Sequence, residues 1–258
     1  RDTGGSGSTT LHLRGLDSRI TALIEAAQPS LDYTAFEWLR RAALSDALAW
    51  DREFGRVRDV SRLGVERNLF RYRAVPVAVR TTGEAPLRAL LRVAIAAIRG
   101  GGAFTLSSPI GLPAAVRRVL GEAGVTVFVE SDAEWIERFT GPAGSESSPS
   151  PDPLPSQKSS ESRAESRKNR DGNGAGLLDE ALAPLRPNRV RIVGAADDVA
   201  SLHAALAEAV HGDPDLAILA GEVTTAGRIE LLPFLHEQAI ATTAPRYGNP
   251  DRTFEPVI

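Results

Sequence analysis

The sequence predicts an α/β protein built on a doubly wound parallel sheet of five strands, with helices on both faces. From Val75 onward, short runs of aliphatic and β-branched residues alternate with longer segments of helical periodicity. These runs are almost continuously apolar, which is typical of strands that are covered on both faces. Strands that alternate with helices in this way form parallel sheets through crossover connections.

Two helices are predicted before the alternating pattern begins, after a Gly/Ser-rich linker at residues 1–10. The first covers residues 17–28 and the second begins near Asp32, with Gly55 as its natural end. Apolar residues of the second helix recur at steps of three and four along one side: Phe36, Leu39, Ala43, Ala47, Trp50 and Phe54. This spacing predicts an amphipathic helix whose stripe packs against the body.

The alternating region predicts five strands and four helices. The strands are residues 75–80, 104–107, 125–129, 190–193 and 216–219, and the helices are residues 86–99, 112–122, 132–139 and 197–210. Ser131 and Glu134 have the spacing of a capping box at the start of the 132–139 helix. We therefore divide the chain into a linker (1–10), a helical preface (11–64) and an α/β domain (65–258).

Two further segments interrupt or follow the sheet. Residues 141–176 are rich in Ser, Pro and charged residues, so we expect a disordered surface insertion there. A short helix at 231–237 should lead into a strand at 239–243, which follows no crossover helix of normal length. We expect that strand to form a projecting flap, residues 228–248, rather than to join the main sheet. An exposed edge of this kind invites pairing with another chain or domain.

Composition excludes several classes of function. A net charge of −3 over 258 residues gives no electrostatic case for binding nucleic acid or anionic membranes. The most apolar run, residues 87–98, contains two arginines and is too short to span a bilayer. The chain has no cysteine, which excludes disulfides, thiolate metal sites and a thiol nucleophile. These features make the cytoplasm the expected location. Methionine is also absent, even at position 1, so we expect a segment of a longer protein.

The turns of the predicted sheet lack the pattern of a dinucleotide site. The glycines at 100–102 precede a strand, whereas a phosphate-binding turn must follow one. The turn at 107–113 contains two prolines, and the turn at 194–198 carries two aspartates that would repel phosphate. Gly194 and Glu130 remain as candidates for cofactor contact. An exposed acid beside a helix N-terminus is the stronger interpretation of Glu130.

No catalytic or metal-ligating set is predicted. His203 and His211 are eight residues apart on one predicted helix face, with alanine between them, while His12 and His236 are isolated. The polar residues 66–68 precede two aromatics, and we interpret them as a structural network that anchors this segment. Neither a serine nucleophile elbow nor a phosphate-binding loop is present.

Residues 96–109, which predict a helix, a glycine turn and a strand, resemble the cofactor-domain segment of aldehyde dehydrogenases. That resemblance places Ser107 near the family's ribose-contacting lysine. Residues 191–195 are similar to a family strand that ends in a Gly-Ser turn, of which only Gly194 is kept. The family's catalytic cysteine has no counterpart. The resemblance implies a cofactor-type domain that has lost its chemistry.

Residues 65–73 and 227–240 resemble the region beyond the dehydrogenase module of long, actinobacterial-type proline utilization A proteins. Over the whole chain the resemblance covers residues 16–139 and 188–248. The insertion departs from it, and so does Pro245, where relatives often have histidine.

This resemblance implies a non-catalytic domain at the C-terminus of an enzyme that fuses proline dehydrogenase to L-glutamate γ-semialdehyde dehydrogenase. Such a domain packs on the dehydrogenase module through its flap and helps to enclose the route of 1-pyrroline-5-carboxylate. NAD and FAD would belong to the parent enzyme and no cofactor to this segment. The residues expected at the interface are Glu66, Arg67, Asn68, Leu231, Leu232, Phe234, Gln238 and Ile240. A working NAD(P)-binding oxidoreductase domain and an independent interaction module remain the alternatives.

Overall fold

The computed structural model describes residues 16–61, 66–141 and 186–243. Its strands, in chain order, are β1 (Arg58–Asp59), β2 (Glu66–Ala74), β3 (Val77–Thr81), β4 (Phe104–Ser108), β5 (Thr126–Val129), β6 (Arg189–Val193), β7 (Ala217–Leu219) and β8 (Leu235–Thr243). Its helices are α1 (Ser18–Ala27), α2 (Tyr33–Ala49), α3 (Leu87–Gly100), α4 (Ala114–Glu122), α5 (Asp132–Thr140), α6 (Ala196–Ala209) and α7 (Gly227–Glu230). The predicted insertion and the end of the chain lie outside the described residues.

A parallel sheet of five strands in the order β5-β4-β3-β6-β7 forms the centre of the molecule. The chain enters at β3, continues outward through β4 and β5, and returns to the other side of β3 at β6. Because every neighbouring pair is parallel, the carboxyl ends of the strands meet at one edge of the sheet. This arrangement confirms the predicted doubly wound α/β fold.

Helices cover both faces of the sheet, and each face has its own apolar core. On the first face, α1 to α4 pack around a cluster that includes Leu23, Leu39, Leu91 and Leu106. On the second face, α5 and α6 pack over residues such as Trp135 and Leu206. Strand β3 serves both cores because its side chains alternate between the faces. The two N-terminal helices therefore share a core with the sheet.

Local sequence signals explain where the helices begin and end. Asp17 and Asp32 cap α1 and α2 by accepting hydrogen bonds from backbone amides, the second over 2.7 Å from Ala35 N. Helix α2 continues into a π-helical turn that ends at Gly55, as expected. The capping box of Ser131 and Glu134 is also confirmed.

An antiparallel sheet of three strands, in the order β1-β2-β8, forms the predicted flap. Strands β2 and β8 pair along nine residues, from Glu66 opposite Thr243 to Ala74 opposite Leu235. The helix predicted at 231–237 is wrong, because only a 3-10 turn at Leu232–Phe234 follows α7 before the chain becomes extended. The proline in that turn has no amide hydrogen to donate, and the β2 ladder satisfies the backbone beyond it.

No helix among residues 16–61, 66–141 and 186–243 is both long and apolar enough to cross a bilayer.

Candidate functional site

The carboxyl edge of the parallel sheet is where this fold binds ligands. In an open α/β sheet the crevice lies where the strand order reverses, which here is between β3 and β6. The side chains at the ends of β3, β4, β5 and β6 therefore decide what this edge can do. We describe them from the reversal point outward.

Two loops are in direct contact at the reversal point. Thr82, which follows β3, donates its amide to the Val193 carbonyl over 2.9 Å. A Cβ atom on Gly194 would lie 1.9 Å from the Thr82 hydroxyl oxygen. Gly194 therefore permits a close approach between the two loops, and this contact is sufficient to account for a glycine there. The Thr82 hydroxyl is buried and has no hydrogen-bond partner among the described residues.

Arg80 fills the edge beside this contact. Its side chain is fully buried on β3, and the guanidinium donates to the Ser107 hydroxyl over 2.6 Å and to the Glu130 carbonyl oxygen over 3.0 Å. It also forms an ion pair with Asp132 at the start of α5, with an N–O distance of 2.5 Å. One arginine thus connects the ends of β3, β4 and β5. These contacts leave little of its donor capacity for a ligand.

Glu130 is paired within the same network, so the interpretation of an exposed acid is wrong. Its side chain is 12% exposed, and it accepts from the Ser107 hydroxyl over 2.6 Å and from two nitrogens of Arg138 over 2.9 and 2.6 Å. Burial alone would raise the pKa of Glu130, but the hydrogen bonds from Arg138 and Ser107 outweigh it and the pKa lies below 4.5. A ribose hydroxyl would have to displace one of these donors.

A cleft of about 380 Å³ opens beside this network, between α5 and α6. Its lining combines an apolar floor with two carboxylates and two hydroxyl-bearing residues: Thr82, Gly83, Asp132, Ile136, Asp198, Ser201, Leu202 and Ala205. The aspartates lie in the first turns of their helices, where they offset the positive helix ends. A phosphate group in the cleft would therefore meet repulsion from both carboxylates.

A second buried network, which the sequence did not reveal, connects the preface helices to the segment before the flap. Asp46 on α2 and Arg92 on α3 are fully buried and form a two-bond ion pair, with both N–O distances 2.7 Å. Arg92 also donates to the Thr224 carbonyl oxygen over 2.8 Å. The nearby pair of Arg191 and Glu230 is equally buried, and Glu230 accepts from the Thr224 amide. Both pairs hold the chain just before α7.

Burial raises the pKa of Asp46 to about 6, against the lowering effect of the facing Arg92. The neighbouring Glu230 carboxylate raises it further, and Arg99 lowers it. A signal for this pair existed in the sequence, because Arg92 lies in the most apolar helix of the chain. Its acidic partner lies 46 positions away in sequence, and spacing alone could not have identified it.

The residues expected at an interface divide into buried and exposed groups. Leu231 and Phe234 belong to the first apolar core and are 0% and 1% exposed, so neither can contact a partner while the chain is folded. Leu232, between them, is 45% exposed. The six that remain at or near the surface are Glu66, Arg67, Asn68, Leu232, Gln238 and Ile240. Apart from Leu232, all of these lie on β2 or β8.

The polar start of β2 is internally bonded. The Asn68 side-chain amide donates to the Glu66 carboxylate over 2.5 Å and to the Ser61 hydroxyl over 2.8 Å. The expectation of a network that anchors this segment is therefore confirmed, although the strand itself was not predicted from the sequence.

The histidines that the structure describes do not form a site, and His12 lies outside the described residues. His211 lies beyond the end of α6 with a backbone φ of 53°. The expectation that it shares a helix face with the exposed His203 is therefore wrong. In the described part of the chain, no group of three His, Cys, Asp or Glu residues could hold a metal ion.

Comparisons with known proteins identify structural relatives. No protein-family model matches this sequence. No curated protein is significantly similar to it. Among solved structures, the chain is similar to proline utilization A from Corynebacterium freiburgense, with 22% identity and a TM-score of 0.44 over 88% of this chain and 15% of that one.

Two other structures are also similar. A mutant of Bradyrhizobium japonicum proline utilization A is 14% identical with a TM-score of 0.43, over 82% of this chain and 20% of that one. An NAD-dependent benzaldehyde dehydrogenase from Corynebacterium glutamicum is 12% identical with a TM-score of 0.44, over 80% and 40%. The chain thus spans less than half the length of each. The fold assignment itself follows from the strand order and the parallel pairing.

Proposed function

We propose that this chain is a non-catalytic scaffold and lid domain of a bifunctional enzyme that oxidises proline to glutamate. The observation that carries the proposal is the network at the carboxyl edge of the sheet. Arg80, Ser107 and Glu130 bind one another where a dinucleotide would need free donors. A sheet whose ligand-binding edge is occupied by its own side chains is suited to a packing role.

The flap supplies the surface for that role. Strand β8 pairs with β2 along one side only, and no described strand pairs with its other side. Alternate residues of this nine-residue strand direct their backbone donors and acceptors to the open edge, which is a template for pairing with another polypeptide. In this proposal the flap packs on the NAD-dependent L-glutamate γ-semialdehyde dehydrogenase module of the same parent. The resemblance of residues 65–73 and 227–240 to proline utilization A supports this choice of partner.

The lid role follows from the physical demands of the reaction sequence. The intermediate, 1-pyrroline-5-carboxylate or its open semialdehyde, is small and soluble, so it diffuses away unless the route between active sites is enclosed. Enclosure requires dense packing but no chemistry from the covering domain. In this proposal NAD and FAD bind to the parent modules and no cofactor binds to this chain.

Removal of residues 16–258 from the complete polypeptide tests the proposal. We expect more free intermediate to be trapped by an amine reagent during proline oxidation, together with lower dehydrogenase activity. Addition of the separately expressed chain should reverse part of both effects. If intermediate release, dehydrogenase activity and solubility are all unchanged by the deletion, the proposal is wrong.

Two measurements separate the alternatives. Calorimetry of this chain with NAD should show no binding heat, and tight binding would favour a working cofactor domain. Deletion of residues 141–176 should leave the activity and assembly of the complete polypeptide unchanged. Loss of a partner in a pulldown after that deletion would favour an independent interaction module.

A further inference from the structure

One face of the flap combines basic residues with an apolar cross-strand pair. Residues directly opposite each other in an antiparallel pair point to the same side of the sheet. The pairing of β2 with β8 therefore places alternate residues on a common face, which we call the outward flap face: Arg67, Leu69, Arg71, Arg73, His236, Gln238, Ile240 and Thr242.

On the opposite face of the flap the β2 residues pack towards the body, whereas Glu237, Ala239 and Ala241 of β8 are exposed. The Tyr72 ring meets the buried Phe54 ring edge to face, with 4.7 Å between centroids, and Phe70 packs on Tyr72. Leu69 and Ile240, which form a cross-strand pair on the outward flap face, belong to neither apolar core. Both side chains are half-buried.

The outward flap face is cationic in a chain whose net charge is −3. It carries three arginines and a histidine, and the only carboxylate that the described strands add to it is Asp59 on β1, opposite Leu69. Asp59 lies at the β1 side and accepts from the Ser61 hydroxyl. Arg71 and Arg73, further along β2, have no carboxylate opposite them on a neighbouring described strand.

A hydrogen bond to the neighbouring strand fixes the side chain of Arg71. Its Nε donates to the Gln238 side-chain oxygen over 2.7 Å, which fixes the guanidinium plane across the two strands. Its two terminal nitrogens have no hydrogen-bond partner among the described residues, and Arg73, two positions on, is exposed without an ion-pair partner there. A fixed guanidinium fork binds a carboxylate through two parallel bonds at little cost in side-chain entropy.

We propose that the outward flap face binds an extended acidic segment of the dehydrogenase module, which rests on the function proposed above. Arg71 and Arg73 are two residues apart on one strand, so their anchor points are separated by about 7 Å. Carboxylates at alternate positions of an extended segment have the same spacing. An aliphatic side chain beside them covers Leu69 and Ile240. The partner is thus a strand with two acidic residues and an apolar neighbour.

A photo-crosslinking residue placed on each side of β8 tests this assignment in the complete polypeptide. Position 240 is on the outward flap face, and position 241, next along the strand, is on the opposite face. We expect the Ile240 replacement to crosslink to a dehydrogenase-module segment that contains at least two carboxylates. The Ala241 replacement serves as the matched control and should give much less of this product.

Charge reversal tests the chemistry of the contact. The double variant Arg71→Glu/Arg73→Glu should reduce the crosslink from position 240 by about tenfold, since two exposed ion pairs are lost and two repulsions are added. The matched control is Arg117→Glu/Arg118→Glu on the exposed side of α4, which should leave it unchanged. Ionic strength of about 1 M should also weaken the crosslink, because the screening length falls to about 3 Å. Thermal unfolding of each variant verifies that it is folded.

The outcomes distinguish this inference from the function on which it rests. A product from position 241 but not from 240, or no product from either position, would overturn the outward flap face as the docking surface. So would a partner segment without acidic residues, or a crosslink between two copies of this chain. A crosslink from position 240 to an acidic segment of some other protein would overturn the proposed function and the choice of partner. The acidic chemistry of the contact would still hold.

Discussion

The arginines of the sheet and those of the flap are used in opposite ways. In the body, Arg80, Arg92 and Arg191 are nearly or fully buried, and each donates to side-chain or backbone oxygens of the chain itself. In the flap, Arg71 and Arg73 lie on the outward face. The polar groups of the buried arginines in the body therefore hold the fold together, whereas the terminal nitrogens of Arg71 have no hydrogen-bond partner among the described residues.

This contrast has an energetic basis. A buried guanidinium loses its hydration and remains charged, so it is tolerated only when carboxylates and carbonyls replace the water. An arginine at the surface keeps its hydration, and its ion pairs contribute little to stability. Substitutions in the two regions should therefore differ in what they affect: stability in the body and association in the flap.

The largest loss of stability should follow Arg92→Met. This change leaves the Asp46 carboxylate buried without its partner, and we expect the free energy of unfolding to fall by about 3–5 kcal/mol. Arg73→Met in the flap is the matched control and should change it by less than about 0.5 kcal/mol. Denaturant unfolding of both variants gives the comparison directly.

The double variant Asp46→Leu/Arg92→Met should recover much of that loss, because it removes both charges together. If Arg92→Met and Arg73→Met have equal effects, the distinction between the two regions fails.

A smaller loss is expected from Arg80→Met, at about 2 kcal/mol. The difference arises because its partner Asp132 is 53% exposed and can be hydrated, and because Glu130 keeps its bonds to Arg138. The same variant should not bind NAD in calorimetry, since the two loops at Gly194 still close the reversal point. Gain of NAD binding would show that Arg80 alone blocks the site.

The sequence predicted the sheet better than the flap, and the reason is physical. The central strands β3 and β6 are short, largely buried runs rich in aliphatic residues, so hydrophobicity alone identifies them. Strand β2 reads Glu-Arg-Asn-Leu-Phe-Arg-Tyr-Arg-Ala, and its charged residues gave no such signal. What makes it a strand is nine residues of pairing with β8, which lies more than 160 positions later.

The carboxyl-edge network was only partly predictable. The lack of a glycine-rich phosphate-binding turn and of a lysine could be recognised from the residue types, and Glu130 was correctly placed at the end of a strand. Its burial depended on Arg138 and Ser107 reaching it from two other elements. Taken singly, each of these polar residues would be predicted to lie at the surface. Only the fold brings them together.

Two carboxylates of the body should give the stability opposite dependences on pH. Asp46 has a pKa raised to about 6 in the folded protein and 3.8 when unfolded, so the folded state takes up this proton first as pH falls. The contribution of Asp46 to stability should therefore decrease as pH rises from about 4 to 6, by at most about 1.4 kcal/mol per pH unit. Glu130 has the opposite sign. Its pKa is lowered from 4.5, so its contribution is present above pH 4.5 and is lost below it.

The window from about pH 5.5 to 6.5 separates the two carboxylates, because Glu130 is almost fully ionised there in both states while Asp46 titrates only in the folded one. The variant Asp46→Asn keeps a side-chain oxygen that can accept a hydrogen bond from Arg92, but it removes the titratable carboxyl group. In this window the stability of the unmodified chain minus that of the variant should fall as pH rises. The same difference measured for Glu130→Gln should be flat there and change only below pH 4.5. A flat difference for Asp46→Asn would mean that its ion pair with Arg92 outweighs the burial of its charge.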